Sequence, residues 1–226
     1  MSLEYAGEAA LIAYLADRSS PQVAAQAQAL GAELKRLLDD QLVDLIPSYA
    51  SLLICFDPLQ TDHYHVSETA RRCLAQLTVQ TVSTGRVIEI PVYYHPEAGA
   101  DLETLAADRG LTWQDVAELH SIQEYRVYAI GFAPGFAYLG DVDERIAAPR
   151  QKTPRRRVPR GAVAIADRQS AVYPAESPGG WNLLGRSPLR MFDPTAEPPM
   201  PVSVGDRVRF TPIDRDAFLD AGGTLA

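Results

Sequence analysis

The sequence has few of the residues that bind metal ions or form disulfides. Two cysteines, Cys55 and Cys73, occur among 226 residues, and neither stands at a spacing typical of a metal site or a redox pair. We therefore expect both to be small, buried apolar side chains. Two of the four histidines, His63 and His65, could share one side of an extended stretch, but no third ligand accompanies them and we predict no metal site.

Positive charge and long hydrophobic runs are also scarce. Acidic residues outnumber lysine and arginine by 29 to 21, and this balance argues against a general nucleic-acid binder because phosphate neutralisation needs a basic surface. The apolar run of residues 9–16 is far shorter than a bilayer span, and Glu4 precedes it where a signal peptide needs basic residues. We therefore expect a cytoplasmic protein without an export signal or a membrane anchor.

What the sequence does have is enough apolar residues, 46% of the total, to bury a sizeable core. Residues 1–85 predict a small α+β domain in the order strand, helix, two strands, helix. Ser20 and Pro21 open the first helix and Asp62 the second. The apolar positions at helical spacing are Val23, Ala27, Leu30, Leu34 and Leu37, then Val66, Ala70, Cys73 and Leu77, and the predicted strands between the helices are residues 42–46 and 49–56.

Residues 86–226 predict a second domain that is mostly β. After a strand at residues 86–94, Asp101 and Thr112 each mark a helix start, Thr112 in a capping box with the acid three residues later, and Gly110 ends the first helix. Short apolar segments separated by glycine and proline then favour a barrel or a sandwich. The strand candidates there are residues 125–131, 162–166, 170–173 and 207–211.

Two segments of the second domain have unusual compositions. Residues 131–140, GFAPGFAYLG, place glycine and proline beside aromatics directly after a strand, and their spacing matches neither a dinucleotide-binding loop nor a P-loop. They predict either a loop that a ligand approaches closely or a tight turn whose aromatics close one end of the β domain. Residues 145–160 contain seven basic residues and no acid, which predicts either anion binding or a solvated, proline-rich extended face.

A third segment, residues 173–188, places Ser177 beside the amides of Gly179 and Gly180, an arrangement that predicts an anion-binding nest. Ser177 does not stand in a nucleophile elbow, so a hydrogen-bonding role is favoured. His120 ends the capping-box helix, and a histidine beside a cleft can move protons near neutral pH. The alternative for His120 is a purely structural side chain.

Together these segments resemble the allophanate-hydrolase-subunit-1 family, which includes the B subunit of the bacterial ATP-dependent 5-oxoprolinase and the sporulation-kinase inhibitor KipI. Nearly the whole chain takes part in the resemblance. Three places depart from the family pattern, namely Ala137, the Ala166-Asp167 pair in place of a glycine-rich turn, and Asn182. The blocks that carry the resemblance are residues 46–58, 131–140, 153–161, 173–188 and 204–210.

The resemblance implies an α+β fold, with a small N-terminal α+β domain followed by a cyclophilin-like β-barrel domain. It also implies a non-autonomous enzyme subunit that works with a tightly bound C subunit and with a third partner, the A subunit, and that uses ATP with Mg²⁺ to open 5-oxoproline to L-glutamate. By motif position and residue chemistry, the catalytic candidates are His120, Arg157 and Gln169, and the substrate- or ATP-binding candidates are Gly135, Tyr138, Arg155, Tyr173, Ser177, Gly179, Gly180, Trp181 and Arg186.

The same family admits a second function, because a KipI-like member binds a sensor histidine kinase and performs no chemistry. The motifs shared across the family do not separate this inhibitor from the enzyme subunit. Prolyl isomerase activity is a third alternative, and it rests on the cyclophilin-like fold alone, which does not carry function.

Overall fold

The computed structural model describes residues 1–77 and 85–225 of the chain. The chain divides into two compact units, Met1–Thr84 and Gly85–Ala226. That residues 1–85 and 86–226 are separate domains stays a prediction. Neither described part contains a helix with the length and hydropathy needed to cross a membrane.

The first unit is a four-stranded antiparallel sheet with two helices packed against it. Its strand order is β1-β2-β4-β3, and the buried side chains of β4 pack with those of the first helix in one apolar cluster. The strands are β1 (Ser2–Tyr5), β2 (Ala10–Tyr14), β3 (Leu42–Pro47) and β4 (Ser51–Phe56), and the helices are α1 (Pro21–Leu38) and α2 (His63–Gln76).

Both helices begin where the sequence predicts. Ser20 Oγ accepts a hydrogen bond from the Val23 amide at 3.2 Å, and the Asp62 carboxylate accepts one from the His65 amide at 2.8 Å. The predicted apolar faces are confirmed with one correction. Leu37 is 44% exposed, because the buried stripe of α1 ends at Leu38, which continues the four-residue spacing of the stripe and is 1% exposed.

Two further predictions for this unit were incomplete. The sequence predicts one strand before α1, whereas the structure has β1 and β2, because a turn around Gly7, with a left-handed φ of 98°, folds this stretch into a hairpin. Cys73 is buried as predicted, but Cys55 is only half-buried. Side chains alternate along β4, so Cys55 lies on the face opposite to that of Ile54 and Phe56.

The second unit is built on a seven-stranded sheet with the order β12-β9-β10-β7-β6-β13-β5. The two edge strands meet where the backbones of Tyr93 and Arg186 exchange hydrogen bonds of 2.8 and 3.0 Å, so the sheet forms a nearly closed barrel. This confirms the predicted fold class. The strands are β5 (Val87–Val92), β6 (Glu124–Ile130), β7 (Ala137–Gly140), β8 (Arg155–Val158), β9 (Ala162–Ala166), β10 (Gln169–Val172), β11 (Ser177–Gly179), β12 (Asn182–Arg186) and β13 (Arg207–Pro212), and the helices are α3 (Leu102–Arg109), α4 (Trp113–Ser121) and α5 (Arg215–Asp220).

Strand β9 is buried on both faces and joins two apolar layers. Val163 and Ile165 belong to the larger core cluster of the unit, whereas the alanines that alternate with them along the strand belong to a second cluster that contains Tyr173 and Trp181. The small alanine side chains leave room for these large aromatic rings. Strands β8 and β11 form a separate two-stranded sheet, and Val158 of β8 packs in the same aromatic layer.

The structure bears out one of the two predicted helix caps in this unit and corrects the other. The capping box of Thr112 with Asp115 is present at the start of α4, and Gly110 ends α3 with a left-handed φ of 66°. Asp101 precedes α3, but its side chain makes no capping hydrogen bond and instead binds groups outside the helix. Residues 145–160, for which one prediction was a solvated, extended face, contain β8, which pairs with β11.

Candidate functional site

The three unusual segments of the sequence meet at one cluster of aromatic side chains. The ring centroid of Phe136, from the first segment, lies 5.0 Å from that of Tyr138, 5.3 Å from that of Tyr173 and 5.7 Å from that of Trp181. Val158 brings the second segment into the same layer. The fold therefore gathers these segments, and it places three predicted binding residues, Tyr138, Tyr173 and Trp181, side by side.

Tyr173 is held against the β11 backbone. Tyr173 is 2% exposed, and burial of its hydroxyl oxygen raises the pKa of the phenol. A Cβ at Gly179 would lie 2.3 Å from this oxygen, so glycine is needed there for close approach. Neither Gly179 nor Gly180 has a positive φ, so their amides do not form the kind of nest that contains a left-handed residue, and anion binding by this segment stays a prediction.

Arg155 lies opposite Gly179 in the β8–β11 pair, and its guanidinium is fixed by an ion pair. Its Nη2 donates to Asp101 Oδ1, and its Nη1 donates to the Trp181 carbonyl at 3.4 Å. Asp101 Oδ2 accepts the Leu183 amide at 2.7 Å, so this carboxylate ties α3 to both β8 and β12. The predicted binding residue Arg155 is thus a paired side chain.

A polar cleft of about 500 Å³ lies beside this ion pair. Gln151 Nε2 donates to Asn182 Oδ1 at 2.7 Å and to Asp101 Oδ1 at 3.3 Å, and Asn182 Nδ2 donates to the Pro149 carbonyl at 2.9 Å. The guanidinium carbon of Arg150 lies 5.8 Å from the centroid of the Trp181 ring, within cation–π range. These contacts fix the wall of the cleft, and Asn182, a departure from the family pattern, is part of that wall.

A second cavity, of about 510 Å³, contains the other two predicted arginines. We call it the arginine pocket. Arg157 binds the Glu176 carboxylate through two hydrogen bonds, of 2.9 and 2.7 Å. Arg186 is 7% exposed and donates its Nε to the Arg160 carbonyl at 3.2 Å. The residues that line this pocket are Arg157, Pro159, Arg160, Glu176, Arg186 and Thr224.

The structure places His120 in the interior of the barrel. The ring is fully buried, with Nδ1 2.6 Å from Tyr94 Oη and Nε2 2.8 Å from Ser170 Oγ, and it packs against Tyr125 and Phe210. Burial lowers the pKa of His120 to about 3, so the ring is neutral at pH 7. Both ring nitrogens contact buried hydroxyls, which is the arrangement of a structural histidine. Its predicted role in proton transfer stays a prediction.

The remaining predicted residues, Gln169, Ser177 and Gly135, line neither of the two cavities described above. Gln169 is half-buried at the start of β10, opposite Gly140, and Ser177 lies opposite Val158 in the β8–β11 pair. Gly135 has a left-handed φ of 83°, and a Cβ there would lie 2.5 Å from the Met191 carbonyl oxygen. The roles of these residues in binding or catalysis stay predictions.

The turn between β9 and β10 explains a second departure from the family pattern. Asp167 takes a left-handed φ of 51°, a conformation that glycine adopts without steric cost and that aspartate tolerates better than most residues. Its amide donates to the Ala148 carbonyl at 2.6 Å. The side chain is exposed, so the substitution adds a negative charge to the surface at this turn.

Sequence reasoning missed the parts that Asp101, Gln151 and Arg160 play at these sites. Asp101 had a signal, because an acid before a helix is a typical cap, but that signal points to the helix amides and not to Arg155. Arg160 belongs to the basic segment of residues 145–160, yet nothing in the sequence separates it from its neighbours. Only the barrel topology brings Arg160 beside Arg186.

The family model and the known proteins that match this chain agree on one family. A model described as the carboxyltransferase domain, subdomains C and D, matches residues 1–202. The B subunit of the 5-oxoprolinase of Bacillus subtilis (strain 168) is 34% identical over 226 residues, a match that covers 96% of this chain and 94% of that protein.

Two solved structures support the fold. The crystal structure of TTHA0988 has a TM-score of 0.80 and 36% identity, covers 91% of this chain, and is a longer chain of which the match spans 40%. The urea carboxylase of Kluyveromyces lactis has a TM-score of 0.78 at 17% identity, covering 96% of this chain and 22% of that one, and at this identity it supports the fold alone.

Proposed function

The chain belongs to the family of carboxyltransferase domains, subdomains C and D, and from this premise we propose that it is the B subunit of an ATP-dependent 5-oxoprolinase. In this proposal it acts with a tightly bound C subunit and with a third partner, the A subunit. It contributes one wall of the site at which 5-oxoproline is opened to L-glutamate. The observation that carries the proposal is the near full-length match to a protein named as the B subunit of 5-oxoprolinase.

The geometry of the second unit supports this proposal. Three segments meet around Phe136, Tyr173 and Trp181, and they leave a polar cleft and the arginine pocket at their borders. Both cavities are lined mainly by polar and charged side chains, which can fix the orientation of a small polar ligand. Two of the predicted arginines, Arg157 and Arg186, line one cavity, as a site for an anionic substrate requires.

The proposed reaction needs ATP because a five-membered lactam is an unreactive amide. The lactam carbonyl oxygen would attack the γ-phosphorus of ATP, and the bond to the β-phosphate oxygen would break to release ADP. Water would then add to the activated carbon, and the ring C–N bond would break with proton transfer to nitrogen. The resulting acyl phosphate would react with a second water to give glutamate and inorganic phosphate.

Each step moves negative charge that the protein must neutralise. Fixed guanidinium groups that do not have to reorganise stabilise such charge well. Arg157 and Arg186 would take this role in the arginine pocket, while Arg155, fixed by Asp101, would orient β8. Among residues 1–77 and 85–225, no group of three or more histidine, cysteine, aspartate or glutamate side chains is placed to hold a metal ion.

Reconstitution tests the proposal directly. We would co-express the chain with candidate A and C subunits of a 5-oxoprolinase, purify the complex through a tag on this chain, and measure ADP release with and without 5-oxoproline. The expected result is ADP release that depends on 5-oxoproline and on every subunit. Each subunit expressed alone provides the control.

Two results would contradict the proposal. One is full 5-oxoproline cleavage by this chain alone, because a non-autonomous subunit should be inactive. The other is a tagged chain that purifies with a sensor histidine kinase and without the candidate subunits, which would favour the KipI-like alternative.

A further inference from the structure

Arg186 is a buried cation without a carboxylate partner among the described residues. Its residue exposure is 7%, and its side chain donates to two backbone carbonyls, those of Arg160 and Thr224. No acidic oxygen of residues 1–77 or 85–225 forms an ion pair with it. Burying an uncompensated charge is costly, and burial together with the nearby charge of Arg160 lowers the pKa of Arg186.

Arg160 adds a second uncompensated cation to the same pocket. Its Nη1 is buried and has no hydrogen-bond partner in the described structure. Buried guanidinium nitrogens are normally satisfied, and an unpaired one points to a group that the protein chain does not supply. Arg160 and Arg186 therefore place two like charges side by side, an arrangement that an anion would stabilise.

The third cation of the pocket is already compensated. Arg157 binds the exposed carboxylate of Glu176 through two hydrogen bonds, and this carboxylate is the one acidic side chain among the residues that line the pocket. Three arginines and one glutamate leave two positive charges. A dianion matches this charge, whereas a monocarboxylate neutralises only half of it.

We propose that the arginine pocket is a binding site for a phosphate dianion, with the guanidinium groups of Arg160 and Arg186 as its main ligands. This inference deepens the proposed function and rests on it for the source of the phosphate, which would be the inorganic phosphate released by the reaction or a phosphoryl group of the nucleotide. The cavity of about 510 Å³ is large enough for either. Planar guanidinium forks are well suited to phosphate oxygens.

Titration calorimetry of the full chain with inorganic phosphate tests the site, at pH 8 and constant ionic strength. We expect saturable binding at one site, weakened at least about tenfold in Arg160→Gln, because the variant loses the charged hydrogen bonds to the anion. Arg160→Gln keeps the backbone carbonyl that Arg186 uses. Circular dichroism and thermal unfolding would verify that the variant is folded.

Arg156→Gln is the matched control. Arg156 neighbours Arg157 in β8, its side chain points to the other face of the strand, and it does not line the pocket. We expect Arg156→Gln to bind phosphate within about twofold of the wild type. Equal weakening in both variants would mean that phosphate is attracted by general surface charge, and it would overturn the proposal.

Two further arms identify the ligand class. Lowering the pH toward the phosphate monoanion should weaken phosphate binding, while sulfate, which stays a dianion, should bind unchanged. If 5-oxoproline binds the chain more tightly than phosphate and loses this binding in Arg160→Gln, the pocket takes a carboxylate and the phosphate assignment is wrong.

The outcome for the site is separable from the outcome for the function. A reconstituted complex that releases ADP in response to 5-oxoproline, combined with no phosphate binding by the chain, would overturn the site and leave the proposed function intact. Specific phosphate binding that Arg160→Gln removes, combined with a complex inactive on 5-oxoproline, would support the site and contradict the function.

Discussion

Asp101 and Arg155 form an ion pair across 54 residues of sequence. Their side chains are 10% and 29% exposed, so the pair is largely shielded from water. The same carboxylate accepts the Leu183 amide at 2.7 Å and the Gln151 side chain at 3.3 Å. One acidic side chain therefore connects α3, β8 and β12 beside the aromatic cluster. Its position before α3 suggests a helix cap, but its contacts stabilise the packing of these three elements instead.

Replacing Asp101 tests this connection. Asp101→Ala should lower the free energy of unfolding by about 3 kcal/mol, because it leaves Arg155 and the Leu183 amide without their acceptor. Asp101→Asn should cost less, since its side-chain oxygen can still accept the Leu183 amide. Urea unfolding followed by circular dichroism measures both values.

Asp108→Ala is the control for Asp101, because Asp108 is exposed, lies on the same helix and lines the same cleft. Its effect should stay within about 0.5 kcal/mol. Equal effects of Asp101→Ala and Asp108→Ala would mean that the ion pair contributes nothing measurable.

Gly179 and Gly180 are adjacent, but they differ in the space available for a side chain. A Cβ at Gly179 would lie 2.3 Å from Tyr173 Oη, whereas the nearest atom to a Cβ at Gly180 is the Gln151 carbonyl oxygen at 3.5 Å, an ordinary contact. Gly179→Ala must therefore displace the Tyr173 ring and should destabilise the protein by about 1–3 kcal/mol. Gly180→Ala should be close to neutral in the same unfolding assay.

The activity of the reconstituted complex provides a second, independent test of the two glycine variants. If Tyr173 orients a ligand, the reconstituted complex should lose 5-oxoproline-dependent ADP release with Gly179→Ala and retain it with Gly180→Ala. A crystal structure of Gly179→Ala with Tyr173 unmoved and stability unchanged would show that the close approach does not constrain the ring.

Local signals explain what the sequence predicts well. Ser20 and Asp62 start helices because a side-chain oxygen satisfies a free amide within three residues, and Gly110 ends one because it adopts a left-handed φ. These interactions need no information from distant parts of the chain. Strand β9 was predicted with its observed bounds because its apolar residues stand between two turns.

The features that the sequence did not predict depend on residues that are far apart in the chain. Strand β11 has only three residues, two of them proline and glycine, and it is a strand only because β8 pairs with it. Similarly, Asp101 meets Arg155 where α3 contacts β8, and Arg160 meets Arg186 because β9 pairs with β12, so sequence spacing predicts neither contact. The sequence singled out the three segments that the fold brings together, but it did not show that their arginines divide between an ion pair and a pocket.

The buried His120 predicts a specific dependence of stability on pH. Its pKa is about 3 in the folded protein and 6.5 in the unfolded chain, so the unfolded state binds more protons between these values. Stability contributed by the neutral ring is complete above pH 6.5 and is lost as the pH falls toward 3. The slope should be at most about 1.4 kcal/mol per pH unit.

Urea unfolding at several pH values from 7 to 5 measures this slope, because the carboxylates titrate mostly below that range. His120→Gln should flatten it, while His65→Gln, at an exposed position on α2, should leave it unchanged. Retention of the full slope in His120→Gln would assign it to other groups. Tyr94 and Tyr125, which contact His120, remain neutral across this range because burial raises the pKa of each phenol.

Replacing Arg157 should affect the activity of the complex without affecting the stability of the chain. Its side chain is 77% exposed, and its ion pair with Glu176 lies at the surface, where such pairs contribute little to folding. Arg157→Gln should therefore leave the thermal midpoint unchanged. It should slow 5-oxoproline-dependent ADP release by the reconstituted complex about 100-fold, which is the usual effect of removing one group that stabilises developing negative charge.

Arg168→Gln is the control. It removes a comparable exposed arginine, paired with Glu144 at 2.7 Å, and should change neither the thermal midpoint nor ADP release. Because the two variants lose the same charge and the same kind of surface ion pair, equal ADP release from both would remove Arg157 from the proposed site.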